Sequence, residues 1–579
     1  MNSSQSSNKA VLTRLWRFVH PHRRGLALAV LAFVLASATE PLVPALLKWV
    51  LDKGFASQST FPLWTVPVAL VGLFTLRGLF FFLGSFLLNW TSSRTVFDIR
   101  CALAQAVIRA DASFYSSTSP STAMAKVVND PQTVTTLLGG ALTTVLRDGL
   151  TSLALLGYLL FINWKLTLLS LVTAPVLVFV VRTIHTRARQ IGTKSYESQM
   201  RLSSIMDDIA RAWRVVRTFD AGQWEQKRFE HEARHLQRMT LKSAASGAMM
   251  SPISQSVASI GIAMVLTLAL VQARQDTATV GDFVAFITAM LLLISKVRHL
   301  TDLSQPVISG LVVAKACFEL IDTPCEPDTG TQELAQCQGN VEFKDVALSY
   351  PGVEQAALAG LSLSMGSGQT IALIGASGAG KTTVVSALLG FVTPQKGQIL
   401  LDNVEISQLR KTALRKQFAV VSQDIVLFDG SIGDNVAYAQ TKDNDKLEQC
   451  IKAANLWEFV SAQPEGIDAS IGANGSKLSG GQRQRLAIAR ALYKDAKIWV
   501  FDEATSALDT ESERVVQQSI EQWHGDKTLV LIAHRLSTVR RADCIYVLSQ
   551  GRVAESGKHE DLMARDGLYA GMVRAQAME

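Results

Sequence analysis

Thr370-Ile371-Ala372-Leu373-Ile374-Gly375-Ala376-Ser377-Gly378-Ala379-Gly380-Lys381-Thr382 decides how the second half of this chain folds. Residues 370–374 read as a buried strand. The run behind them fits GxxxxGK[ST], and Thr383 continues into an apolar, helix-compatible stretch. Glycines let backbone N–H groups curl around phosphate oxygens, and the following helix points its positive end at the same place. Lys381 is expected to reach the β- and γ-phosphates of a nucleotide, and the Thr382 hydroxyl to bind Mg²⁺.

Downstream, Ile498-Trp499-Val500-Phe501 is an apolar strand that ends in Asp502-Glu503. Two adjacent acids closing a buried strand call for a cation or a polar partner. Asp502 is expected to hold Mg²⁺, and Glu503 to polarise the attacking water. Between the two strands lies Leu478-Ser479-Gly480-Gly481-Gln482, ahead of a helix-forming run over 483–492. A second glycine-rich loop at a helix N-terminus is a second anion site. One nucleotide already has its own loop, so this one invites a phosphate held by another subunit.

Outward toward the N-terminus the composition changes. A stretch rich in Thr, Pro, Asp, Glu and Gln at 322–339 reads as a linker, with the ATPase domain over 340–579. Before it, 25–321 reads as a membrane domain, behind a basic segment at 1–24. Six apolar runs are placed near 25–47, 63–89, 138–161, 165–184, 248–272 and 280–298. Runs of about 20 residues suffice to cross a ~30 Å hydrocarbon core. The first is too long for a signal-peptide core and is read as retained. Short loops alternate with long polar ones near 91–137 and 185–247, the second rich in Arg and Lys. That asymmetry places the long loops and the ATPase domain in the cytoplasm, and it explains the net charge of +7 better than nucleic-acid binding does. Each long loop is expected to form two helical arms, with a turn near 116–120 in the first and 207–213 in the second; read alone, each is either a solvated helical hairpin or a contact element for the ATPase domain. The six cysteines lack metal-ligand spacing and are expected to be reduced thiols.

Arg77, Arg147 and Arg298, with Lys296, fall inside the apolar runs. Counted at 1.5 Å per residue, the three arginines lie roughly 22–27 Å below the outer boundary. Cations at one depth in a membrane are a candidate binding ring for an anionic cargo. The bland reading is snorkelling, or pairing with a local acid such as Asp148. Glu40, counted as nearer the outer leaflet, is an acid without an evident partner.

Leu478-Ser479-Gly480-Gly481-Gln482 resembles the signature of ATP-binding-cassette proteins. Tyr350 matches the aromatic that stacks on adenine, Gln423 the glutamine that reaches Mg²⁺, 506–509 the D-loop, and His534 the switch histidine. The resemblance implies a multidomain membrane protein, with a six-span α-helical exporter-type domain and an α/β P-loop nucleotide-binding domain. It implies ATP and Mg²⁺ as cofactors, and a homodimer that sandwiches two ATPs, each between one P-loop and the other subunit's signature. On that model residues 375–383, Tyr350 and 479–482 bind nucleotide, Thr382, Gln423 and Asp502 hold Mg²⁺, and Glu503, His534 and Gln423 serve catalysis. Stretches in the membrane half, among them Leu51-Asp52-Lys53-Gly54-Phe55 and Leu76-Arg77-Gly78, are similar to bacterial lipid A flippases. The cargo implied is lipid A or its core-oligosaccharide form, moved from the inner to the outer leaflet of a bacterial inner membrane. The rival reading is a multidrug exporter of the same architecture, whose cavity would rely on aromatic groups more than a basic ring. A non-transport cassette ATPase is opposed by the apolar runs, and a gated channel only by electrophysiology. One departure stands out: Ala473 occupies a place where, on this resemblance, relatives usually carry a glutamate that contacts short coupling helices at the tips of the long loops.

Overall fold

The computed structural model describes residues 2–54, 62, 64–171, 174–273, 279–334, 336–350, 353, 355–502, 525–532 and 539–577. It divides into two compact units, Met1–Cys325 and Glu326–Glu579.

The first unit is helical. An amphipathic helix, Asn2–Val19, buries Val11, Leu15 and Val19 and leaves Leu12 and Trp16 exposed. The first apolar run is two helices, Arg23–Thr39 and Leu42–Trp49, separated at Glu40-Pro41 because Pro41 has no N–H to continue the ladder. Thr65–Arg109 is one continuous helix of 45 residues. Its apolar side chains point outward: Val71, Leu79 and Phe82 are each more than 60% exposed. A helix apolar all round needs an apolar solvent, which is the signature of a membrane span. Four described helical stretches, Lys9–Lys53, Thr65–Arg109, Pro120–Ile162 and Val280–Ile321, are long and apolar enough to cross a membrane. The other two expected runs fall on Trp164–Leu171 with Ala174–Arg211, and on Gly222–Ala273.

Both long loops form the expected hairpins. The first turns through a short helix, Ala112–Ser117, and restarts at Pro120, where Ser119 caps the next helix. The second turns through Trp213–Thr218, between the arms Ala174–Arg211 and Gly222–Ala273. Ser198 and Arg201 on one arm both bond Glu232 on the other, at 2.6 and 3.0 Å. On the opposite side of the apolar region, Asp52 accepts the backbone N–H of Gly281 at 3.1 Å, and Lys48 lies 2.6 Å from Asp282. These contacts tie the end of the first run to the start of the last.

The second unit holds two sheets among its described residues. Strands β1 (Val341–Leu348), β2 (Leu358–Met365), β4 (Lys396–Leu401) and β5 (Val404–Glu405) form an antiparallel sheet in the order β2-β1-β4-β5. Strands β3 (Thr370–Ile374), β6 (Phe418–Val421), β7 (Ile498–Asp502), β8 (Thr528–Ile532), β9 (Cys544–Ser549) and β10 (Arg552–Gly557) form the other, in the order β10-β9-β3-β8-β7-β6. It is parallel from β9 through β6, with β10 antiparallel at the edge. β3 and β8 are buried at every position, as a strand covered on both faces must be. β7 alternates: Ile498 and Val500 face the core shared with β1, β2 and the helix Lys381–Leu388, while Trp499 and Phe501 face a separate helical core containing Leu447, Ile451, Leu486 and Tyr493.

The stretch expected as a linker is docked from Glu326 onward. Glu326 makes ion pairs with Arg415 and with Lys411, the latter at 3.3 Å, and Asp328 accepts the backbone N–H of Lys411 at 3.0 Å. Burial would push the Glu326 carboxyl up, but the Arg415 hydrogen bond and charge prevail and hold it below its usual range.

Candidate functional site

The loop after β3 is shaped for phosphate by its own backbone. Gly380 has φ +104°, and a Cβ there would stand 2.7 Å from the Ala357 carbonyl, so only glycine fits. Gly378 has φ +80° with open space where a side chain would go, and Ala376, Ser377 and Gly378 form an exposed rim. Ala379 is buried and anchors the loop. The helix Lys381–Leu388 begins at once and buries Val384, Val385, Ala387 and Leu388. Lys381 is 7% exposed, and its ammonium donates to the carbonyls of Gly375 and Ala376 at 2.7 and 3.1 Å. The cation is thus folded back over the loop that a phosphate would enter. Thr382 is exposed on the first turn, and Thr383 is buried behind it.

Strand register gathers the other candidates. Leu373 on β3 and Asp502 on β7 are both in register with Ile532 on the strand between them. Asp502 therefore lies two strands from the phosphate loop, about 9–10 Å across the sheet. Val421 on β6 is in register with Phe501, so the exposed Gln423, two residues on, leaves the same edge. These are carboxyl ends of parallel strands, where open α/β sheets bind ligands. Thr382 hydroxyl, Asp502 carboxylate and Gln423 carbonyl are hard oxygen donors, a set that fits Mg²⁺. Tyr350 follows β1 and is exposed. Glu503, His534 and the D-loop at 506–509 lie outside the described residues.

The signature is a helix cap. Ser479 Oγ accepts the N–H of Gln482 at 3.2 Å, and Gln482 Oε1 accepts the N–H of Ser479 at 2.8 Å, a reciprocal capping box on Gly480–Lys494. Ser479 and Gly480 are exposed. Leu478 and Leu486 pack this helix into the helical core, whereas Lys381–Leu388 packs into the core between the sheets. The phosphate loop and the signature are therefore carried by different cores of one unit. Ala473, also exposed, opens a short turn in which Asn474 Oδ1 accepts the N–H of Leu427 at 3.2 Å.

In the membrane unit the expected ring takes a different form. Arg77 Nη2 stands 2.5 Å from Glu40 Oε2. Arg147 donates through Nε and Nη2 to both oxygens of Asp148, at 3.0 and 2.9 Å. Lys296 Nζ lies 3.7 Å from Glu40 and 3.7 Å from Asp148, and His299 lies 3.3 Å from Asp148. Two expectations change, and one residue is added. Arg298 is exposed and makes no ion pair among the described residues; it sits two positions from Lys296, and residues two apart do not share a helix face. His299, three positions from Lys296, shares that face. Glu40 lies level with Arg77 instead of nearer the outer side, because counting along straight, untilted helices ignores both tilt and the break at Pro41. Among the described residues no His, Cys, Asp or Glu cluster fit to hold a metal appears.

Comparison with known proteins agrees with this anatomy. Residues 26–297 match the ABC transporter transmembrane region, and 358–506 match the ABC transporter domain. A protein of Burkholderia orbicola named ATP-dependent lipid A-core flippase is 42% identical over 577 residues, covering 100% of this chain and 97% of that protein. Proteins of the same name from Thiobacillus denitrificans and Albidiferax ferrireducens are 41% and 40% identical, each alignment covering 98% of this chain and 98% or more of the relative. The solved structure of a bacterial Atm1-family ABC exporter with ATP bound superposes with a TM-score of 0.87 at 29% identity, covering 96% of this chain and 99% of that one. An exporter-type membrane unit joined to a P-loop ATPase unit, matched end to end by such relatives, places this chain in the ATP-binding-cassette exporter family, among the proteins named ATP-dependent lipid A-core flippases.

Proposed function

We propose that this chain is an ATP-driven flippase that works as a homodimer and moves lipid A, free or carrying its core oligosaccharide, from the inner to the outer leaflet of a bacterial inner membrane. The observation that carries the cargo reading is the gathering of Arg77, Arg147 and Lys296 from three helices inside the apolar region. A cavity for neutral drugs needs no such convergence of cations, whereas a phosphorylated lipid does. Arg298, exposed on another face of the Lys296 helix, is read as a peripheral charge outside this cluster. The names of the full-length relatives support the same cargo.

Lys381 and the N–H groups of 375–382 bind the nucleotide phosphates, and Tyr350 stacks on the base. Thr382, Asp502 and Gln423 hold Mg²⁺, which when bound neutralises charge on the phosphates. Glu503 orients and polarises the attacking water, and His534 senses the γ-phosphate. The signature cap, exposed at Ser479 and Gly480, meets the nucleotide of the second copy. ATP binding closes the pair of ATPase units and turns the cavity outward; hydrolysis resets it.

The test is ATPase activity of the purified full-length protein in nanodiscs, titrated with lipid A, ordinary phospholipids and hydrophobic drugs. Lipid A is expected to stimulate at lower concentration than either of the others. Stimulation by neutral drugs alone would assign the cavity to drug export.

A further inference from the structure

The cations at the proposed cargo site are not free, and the two acids that hold them do so differently. Glu40 and Asp148 are 1% and 0% exposed, while the Arg77, Arg147 and Lys296 side chains are 18%, 36% and 13% exposed. The carboxylates therefore form an inner layer and the cations an outer one. Asp148 is gripped: Arg147 gives it two hydrogen bonds through one edge of its guanidinium, leaving the other edge for a ligand. Glu40 is held by charge without a bidentate hydrogen bond: Arg77 Nη2 stands 2.5 Å from its Oε2, which is buried and accepts no hydrogen bond. Lys296 stands 3.7 Å from Glu40, beyond hydrogen-bond length, and is shared with Asp148.

We infer that Glu40 is an exchangeable internal counterion that sets which anionic headgroups the site accepts, and that Asp148 is a fixed positioning residue for Arg147. This inference rests on the reading that the cluster takes the cargo's phosphates. Three cations against two carboxylates leave one positive charge in excess. A headgroup must therefore draw Arg77 and Lys296 away from Glu40 to bind fully. A phosphodiester such as phosphatidylglycerol carries a single negative charge and competes poorly with a carboxylate already in place. A phosphomonoester carries about −1.5 to −2 near neutral pH, so a lipid with two of them can replace Glu40 at both cations. Glu40 thus acts as a threshold on phosphate charge. The lack of a bidentate hydrogen-bonded pair at Glu40 is what permits exchange, and the bidentate grip on Asp148 is what forbids it there.

The two acids give opposite predictions. The full-length protein is placed in phosphatidylcholine nanodiscs, and ATPase is titrated with diphosphoryl lipid A, monophosphoryl lipid A and phosphatidylglycerol. Glu40→Gln is expected to lower the half-stimulating concentration of phosphatidylglycerol about tenfold, the effect of one close charge pair worth about 1.4 kcal/mol. The diphosphoryl lipid should shift much less, so the selectivity ratio collapses. Asp148→Asn should raise the half-stimulating concentration of all three. Glu40→Gln combined with Arg77→Gln restores the local charge balance and should lose the gained phosphatidylglycerol response. If Glu40→Gln does not assemble, Glu40→Asp, which widens the gap to Arg77, should move the same ratio in the same direction by a smaller factor. The inference is overturned if the Glu40 variants raise the half-stimulating concentrations of all lipids, or leave the ratio unchanged. Failure of the underlying reading has its own mark: Arg77→Gln and Arg147→Gln would then leave the lipid A titration untouched, whatever Glu40 does.

Discussion

The phosphate loop at 375–382 and the charge cluster around Glu40 and Asp148 gather positive charge by different means. The loop uses consecutive backbone N–H groups, one helix end and one lysine, all within eight residues of sequence. The cluster uses side chains from the helices Thr65–Arg109, Leu142–Ile162 and Val280–Asp302 around acids that include one at a helix break. The first is preorganised by glycine geometry and by its seat against Ala357 and Leu548 within one packed unit. The second exists only when the helices are packed, so any motion of one helix against another redistributes its ion pairs. That difference suits a fixed site for a common nucleotide in one unit and a rearranging site for a cargo in the other.

The largest expected effects break the loop. Lys381→Ala should weaken nucleotide binding and lower ATP turnover by about 10²–10³-fold, the scale of losing one preorganised charge stabiliser. Glu503→Gln should keep nucleotide binding and lower turnover by about 10²–10⁴-fold, since only water activation is lost. Nucleotide-binding fluorescence and phosphate release separate the two. Near-normal turnover in the Glu503 variant would move the general base elsewhere.

Smaller effects are expected in the cluster, and they should be uneven. Arg147→Gln leaves the buried Asp148 with only its longer contacts to Lys296 and His299, so both lipid A response and thermal stability should fall; truncating one member of a buried pair costs about 2–5 kcal/mol, and the remaining neighbours and the partial exposure of Arg147 favour the low end. Arg298→Gln, on the exposed face, should change the lipid A half-stimulating concentration by about fivefold or less, as for surface charges worth ~0–1 kcal/mol. Equal losses at both positions in lipid titrations and melting curves would restore the three-arginine ring in place of the acid-centred cluster.

The same contrast decides how much could be read before any coordinates. The loop, the strand ending in Asp502 and the signature cap are local patterns, so their residues sat where the spacing put them. Lys296 and Arg77 stand out by their charge in apolar runs, but nothing local assigns Glu40 to them, because helix tilt and the Pro41 break are properties of packing. One part is legible from spacing alone. Lys296 and Arg298 are two residues apart on a helix and cannot face the same way, whereas Lys296 and His299 can. The docking of Glu326 on Lys411 and Arg415, some 85–89 residues away, had no local signal at all.

The smallest expected effect tests whether charge at a local helix cap in the ATPase unit contributes to its stability. Ser431 and Asp434 form a capping box on Ile432–Val436: the Ser431 hydroxyl accepts the Asp434 N–H, and the Asp434 carboxylate accepts the Ser431 N–H. Lys442 adds an ion pair at 2.9 Å, and with Ser431 it holds the Asp434 carboxyl down to about 2 from an ordinary 3.8. A carboxyl depressed by folding stabilises above its unfolded pKa, and that contribution is lost as pH falls through the folded value. Asp434 is exposed, so solvent screening keeps the charge contribution to about 0.5 kcal/mol. Asp434→Asn should therefore lower the melting temperature of the ATPase unit slightly and by a constant amount between pH 7 and 5, and the difference should begin to shrink below about pH 4, where the unfolded carboxylate takes up a proton while the native one stays ionised, and be gone near pH 2, where the native one protonates too. Melting curves of the full-length protein at stepped pH measure it. A difference that stays constant down to pH 3 would mean that the cap acts through hydrogen-bond geometry alone, and that charge contributes to this unit only where, as at Lys381, it faces a phosphate.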